Sequence, residues 1–135
     1  MTVELARVRG APMAQTLTIR SHQLVTDGGE AEGGTDAGPD PHDLYDAALG
    51  ACKALTLLWY ARRKGWAVDD VRTLVERDAS QERQGTYRLA ARLQVSGELT
   101  DAQLQELQTV AHKCPVHKLM TAVTTEISTA VERLP

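Results

Sequence analysis

Phenylalanine is absent from this 135-residue chain, and two tryptophans and three tyrosines are its only large aromatic residues. Its core must therefore rest on Leu, Val, Ala and Ile. Cysteine is almost as scarce: Cys52 and Cys114 stand alone, 62 positions apart, which excludes the disulfide framework of a small secreted scaffold. Neither a CxxC pair nor an HExxH motif occurs, so the strong zinc signatures are missing too. The opening MTVELARVRG lacks the apolar core of a signal peptide, and no run approaches the length of a membrane span. The expected location is the cytoplasm, where thiols are kept reduced, so two cysteines point either to inert core thiols or to redox chemistry. A net charge of -3 and a pI near 5.8 give no reason to expect nucleic acid or a membrane surface as partner. There is no internal repeat and no second domain boundary, so residues 1–135 are expected to form one domain.

The chain is arranged around PDPHDLYDAALGACKALTLLWYARRKGW, residues 39–66. Asp40 suits an N-cap, Pro41 the first helical position and Gly65 the C-terminal stop after Arg62, Arg63 and Lys64. At about 100° per residue, Asp46, Gly50, Lys53, Tyr60 and Lys64 share a narrow polar stripe. Leu44, Ala48, Ala51, Leu55 and Leu58 fall opposite, and Cys52 sits between, beside Tyr45, Thr56 and Trp59. So wide an apolar circumference marks a core helix or an oligomer-interface helix.

Before this helix, residues 2–9, Gln15 to Ile19 and Gln23 to Thr26 read as strands. A Gly-rich, acidic loop follows over residues 27–40, long enough for a functional or mobile role. After it, Val71 to Arg77 and Thr86 to Val95 read as an antiparallel pair joined by a polar tip, Ser80 to Gly85. Thr100 to Lys113 is an amphipathic helix capped by Thr100, with Leu104, Leu107, Val110 and Ala111 on one face. Cys114-Pro115 breaks it, Val116 to Met120 adds a helical turn, and Ala122 to Val131 alternates as a strand does. The order predicts an α+β fold with a long central helix packed on antiparallel sheet.

Several chemistries fit the thiols. Buried free cysteines behave as small hydrophobes. A Cys114 thiolate would gain from unpaired N–H groups of a helical segment starting at Pro115 and from His112, Lys113 and His117. His112, Cys114 and His117 with Cys52 resemble a four-ligand metal set, but on a helix His112 and Cys114 diverge by about 200°; no metal and no cofactor is expected. A nucleophilic cysteine with His112 or His117 as base describes a hydrolase.

Taken together, GPDPHDLYDAALGACKALTLLWYARRKGW and the later AHKCPVHK resemble the two motifs of the OsmC/Ohr superfamily, the osmotically inducible and organic hydroperoxide resistance proteins. The resemblance extends over most of the chain and lies nearest the general OsmC-like branch. It implies an intertwined homodimer and a thiol-dependent peroxidase. By motif, Cys52 attacks the peroxide, Cys114 resolves the resulting sulfenic acid to a disulfide, and a lipoyl-type or other dithiol reduces it again. It also implies a glutamate early in the helix, holding an arginine against the thiolate. Here that position is His42, followed by Asp43, and Arg20 is the candidate arginine, with Arg7 and Arg9 as rivals. Candidate substrate contacts are His42, Asp43 and Trp59. A non-enzymatic dimeric stress or ligand-binding protein and a Cys-dependent hydrolase are the alternatives.

Overall fold

The computed structural model describes all 135 residues. They form an α+β chain, with a three-stranded antiparallel sheet, a strand hairpin and three α-helices. Strands β1 (Val3–Arg7), β2 (Gln15–Ile19) and β3 (His22–Thr26) make a meander in which Leu17 faces Leu5 on one side and Leu24 on the other. The β2–β3 connection is a two-residue turn, Arg20-Ser21, closing on the Ile19–His22 pair. Arg20 takes a left-handed φ of 55° there, a conformation that hairpin turns demand and that non-glycine residues adopt at a cost.

The loop after β3 is tied down rather than loose. The buried Asp27 carboxylate accepts the backbone N–H groups of Gly28, Thr35 and Ala37 and the Thr35 hydroxyl. Those bonds, the Ala37 amide foremost, hold its carboxyl below the usual carboxylate range. Thr26 Oγ1 donates to Pro39 O at 2.7 Å, so the two ends of the loop meet.

Helix α1 (Pro41–Lys64) has the expected limits. The Asp40 carboxylate accepts the Asp43 N–H at 2.8 Å, and the Asp43 carboxylate accepts the Asp40 N–H at 3.0 Å, a reciprocal cap. At the other end Gly65 has φ 71°, with Gly65 N–H to Arg62 O and Trp66 N–H to Ala61 O, the Schellman arrangement. Strands β4 (Asp70–Asp78) and β5 (Arg88–Ser96) pair as the second sheet, β4 slightly longer than expected and β5 starting two residues later and ending one later, and a short 3-10 turn at Glu82–Gln84 lies in their connection. Helix α2 (Asp101–His112) carries the Thr100–Gln103 capping box. Helix α3 (Pro115–Thr121) follows at once, with Cys114 as its N-cap.

The structure decides which side of α1 turns inward and corrects one expectation, the closing strand. The stripe of α1 that turns inward is the polar one: Asp46, Leu49, Gly50, Lys53, Leu57 and Ala61 are buried. Leu55 and Trp59 are 67% and 59% exposed, and Ala48, Ala51 and Leu58 are exposed beside them. The reason lies in pairing, since each inward polar side chain meets a partner on a distant segment. The closing segment forms no strand. Beyond Val123 no regular structure is present, and Ile127 is 83% exposed. Its alternation is real, but a strand exists only on a ladder, and no strand of the chain pairs with it.

The chain divides into two compact units, Met1–Ala48 with Val75–Ala90 and Leu49–Leu74 with Ala91–Pro135. In the second, Leu57 and Ala61 of α1 pack with Leu107 and Ala111 of α2, flanked by Tyr60, Trp66, Val68, Leu93, Val95 and Leu99. No helix is long and apolar enough to cross a membrane.

Candidate functional site

Both cysteines belong to the second unit, and the first turn of α3 organises them. Proline at the first helical position pre-sets the turn, leaving the next two amides free to donate. The Val116 N–H points to Cys52 Sγ (N···S 3.5 Å) and the His117 N–H to Cys114 Sγ (3.4 Å). Consecutive amides of one turn thus hold two thiols that lie 62 residues apart in sequence. Both thiols are free. Their access differs: Cys114 is completely buried, whereas Cys52 is partly exposed.

Next to Cys52 in sequence, Lys53 is 7% exposed and has no carboxylate partner. Its ammonium donates to Ala111 O at 3.1 Å, near the C-terminal end of α2 where carbonyls lack helical partners, and to His117 Nδ1 at 2.9 Å. Accepting from Lys53 leaves Nδ1 as the bare nitrogen, so the His117 imidazole is neutral with its proton on Nε2. Burial first, then the Lys53 and His112 charges, pull the His117 pKa below its ordinary value. The His112 and His117 rings lie 4.7 Å apart. The cation set into this region is therefore Lys53, and His117, which the sequence offered as a possible positive neighbour of Cys114, is kept neutral. Trp59 is in the same unit, exposed, with the Arg63 guanidinium 5.0 Å from its ring centre.

The first unit holds the other expected residues. Arg20 occupies its hairpin turn, exposed and without a carboxylate partner. Asp43 is engaged by Arg77 Nη2 at 2.8 Å, and the buried Asp46 accepts Arg77 Nε at 2.6 Å and the Tyr87 hydroxyl at 2.7 Å. Hydrogen bonds to the two carboxylates push the Arg77 pKa upward; burial, then Asp46, pushes the Tyr87 phenol up to about 12. His42 Nε2 pairs with Glu82 Oε1 at 2.9 Å. Pro41, His42, Tyr45, Glu82 and Tyr87 line an open cavity of about 350 Å³. A carboxylate–arginine pair exists at the first turn of α1, between Asp43 and Arg77.

Sequence reasoning missed Arg77, Tyr87 and Glu82, along with the Lys53–His117 bond. The available signal was Asp46 and Lys53 on one helix stripe among small residues, a polar face that would stay unpaired unless something distant reached it. No cluster of three or more His, Cys, Asp or Glu side chains could hold a metal ion.

Solved structures with this fold include an OsmC-like protein from Mycoplasma pneumoniae, with 17% identity, a TM-score of 0.71, and 91% of this chain and 89% of that one covered. An organic hydroperoxide resistance protein, OsmC, from Legionella pneumophila has 19% identity and a TM-score of 0.64, with 90% of each chain covered. The organic hydroperoxide resistance protein OhrB of Bacillus subtilis has 22% identity and a TM-score of 0.56, with 90% and 92% covered. No curated protein matches the chain. At the level of family, residues 33–128 match the OsmC-like proteins, a span that takes in both cysteines and both quoted motifs, and the chain belongs to that family.

Proposed function

We propose that the protein reduces organic hydroperoxides with its two thiols, as part of a stress-defence role in the cytoplasm. The observation that carries this reading is the pair of adjacent amides, Val116 and His117, holding Cys52 and Cys114 at one turn. A reversible thiol peroxidase needs a second thiol poised beside the first, because an unresolved sulfenic acid is open to irreversible oxidation. Access supports the division of roles: a peroxide can reach Cys52, while the buried Cys114 meets only what Cys52 has become. Relatives named for organic hydroperoxide resistance support the substrate class.

The Cys52 thiolate attacks one oxygen of ROOH, the O–O bond breaks, and the alkoxide leaves and is protonated to ROH. Cys52 is then a sulfenic acid. Cys114 attacks its sulfur, hydroxide leaves with a proton as water, and the Cys52–Cys114 disulfide forms. An external dithiol, lipoyl-type or another, takes the oxidising equivalents by thiol exchange. Arg20 is the proposed activating arginine, and Trp59 a proposed apolar contact for the organic group. His42 and Asp43 keep a proposed substrate role at the first turn of α1, beside their partners Glu82 and Arg77.

The test is stopped-flow oxidation by an alkyl hydroperoxide followed by mass spectrometry. The parent should yield an intramolecular Cys52–Cys114 disulfide, Cys114→Ser should trap overoxidised Cys52, and Cys52→Ser should react at the slow rate of a free thiol. A Cys52→Ser protein as fast as the parent sinks the proposal. Arg20→Gln should slow oxidation by about tenfold, one charge-assisted interaction; an unchanged rate removes Arg20 and leaves Lys53 as the cation.

The second chain of a homodimer is also proposed, and here α1 gives the support. Ala48, Ala51, Leu55, Leu58 and Trp59 recur at helical spacing on its exposed side, the apolar seam that a second helix covers.

A further inference from the structure

The cavity in the first unit has features beyond the substrate role proposed for His42. Three of its walls are rings. Tyr45 and Tyr87 stand with centroids 5.9 Å apart at 66°, and His42 and Tyr87 with centroids 5.9 Å apart at 58°. The rings are tilted or edge-on to one another rather than stacked. The Tyr87 hydroxyl is committed to Asp46, and Tyr45 is 47% exposed with no hydrogen bond from its hydroxyl to the protein. What both offer a ligand is the ring.

The charges behind the rings are mostly carboxylates. Glu82 lines the cavity, Asp46 holds its wall through Tyr87, and Asp43 is joined to Asp46 through Arg77. Against these three carboxylates stand one guanidinium, Arg77, and the His42 imidazole, which is charged only when protonated. Arg83, next along the turn, does not line the cavity, and neither do Asp43, Asp46 and Arg77; among the lining side chains the balance is negative while His42 is neutral. An anionic ligand is repelled here, and the volume of about 350 Å³ is far larger than a bare metal ion requires. Electron-rich ring faces with a carboxylate at the rim attract a cation that is large and weakly hydrated.

We propose that the Pro41–His42–Tyr45–Glu82–Tyr87 cavity binds a small organic cation with an alkylated ammonium head, cupped by the two tyrosine rings with Glu82 as its counter-charge. The site does not rest on the peroxidase reading and lies within the unit that carries neither cysteine.

The experiment is a calorimetric and NMR titration of the intact protein with choline, and separately with 3,3-dimethylbutan-1-ol, which has the same shape without the charge. Choline should bind saturably, and the neutral alcohol about tenfold more weakly, the range of a partly desolvated cation–π contact. Tyr45→Phe keeps the ring and should bind choline as the parent does. Tyr45→Leu keeps apolar bulk without the ring and should lose the preference for choline over the alcohol. Glu82→Gln should weaken choline and leave the alcohol unchanged. Because Tyr45 is half exposed, its variants are expected to fold. Cys52→Ser should bind choline like the parent, which separates this site from the thiol reaction. Equal binding of the two probes would make the cavity a neutral apolar slot and overturn the proposal. So would saturation by choline that survives Tyr45→Leu unchanged, or no saturable binding by either probe.

Discussion

A lysine with 7% of its surface exposed and no carboxylate within reach is expensive to keep, so its neighbours explain it. Lys53 replaces its hydration with Ala111 O and His117 Nδ1, and in doing so decides the state of the imidazole. The pH consequence follows from the depressed His117 pKa. Unfolded, the side chain titrates near its model value of 6.5; folded, it titrates lower. Between those two values the unfolded chain binds more protons, so this group lowers stability as pH falls below about 6.5. We expect the urea midpoint to drop between pH 7.5 and 5.5, with a shallower drop in His117→Gln. In Lys53→Met, NMR should show the His117 ring titrating at higher pH than in the parent, because the adjacent ammonium is gone. An unmoved titration would mean that Lys53 does not set the state of the ring. At this scale the sequence told little. Lys53 and His117 are 64 residues apart, and no local pattern says that an ammonium on α1 will meet an imidazole on α3. The two cysteines were legible because of their motifs, whereas their placement on one turn was not.

Elements were far more legible. Both limits of α1, the Thr100 cap, the break at Cys114-Pro115 and the five strands can be read locally, because caps, glycines and alternation act over a few residues. Gly65 shows how directly: a side chain there meets nothing within 4 Å, so the residue is constrained only by its φ of 71°. Gly65→Ala should therefore cost about 1 kcal/mol with no change in packing, measured as a shift in denaturation midpoint at constant slope. Leu107→Ala, by contrast, empties the contact between α2 and α1, where Leu107 is 1% exposed; about 3 kcal/mol is expected. The Asp27 loop needs a different kind of prediction. Its carboxylate collects three amides and a hydroxyl, so Asp27→Asn should open residues 27–38 to proteolysis at neutral pH. The parent should lose the same protection as pH falls through the lowered Asp27 pKa, and unchanged cleavage in the variant would show that the loop holds by other means. What local reading left open was the orientation of α1. A helical wheel puts apolar residues inside unless polar ones find partners, and the partners of Asp46 and Lys53 (Arg77, Tyr87, Ala111 and His117) come from elements remote in sequence.

For the whole molecule, the exposed apolar side of α1 and the unpaired closing segment lead to the same prediction. A single chain leaves Leu55, Leu58 and Trp59 exposed along α1 and Ile127 and Val131 exposed beyond α3, and exposed apolar rows of this kind mark interaction faces. The alternation of Val123, Thr125, Ile127, Thr129 and Val131 is that of a strand awaiting a ladder, and in the proposed homodimer a second copy would supply both a helix for the seam and a sheet edge for the segment. Sedimentation equilibrium should give a dimer. Leu55→Glu, at a position 67% exposed and so tolerated within one chain, should shift the mass toward the monomer while far-ultraviolet circular dichroism stays unchanged. Deleting residues 123–135 should weaken the dimer and remove strand signal from the assembled protein, because that signal arises only on pairing. A parent that sediments as a monomer would refute both parts. A dimer indifferent to Leu55→Glu would place the interface away from α1 and leave the exposed seam without a partner.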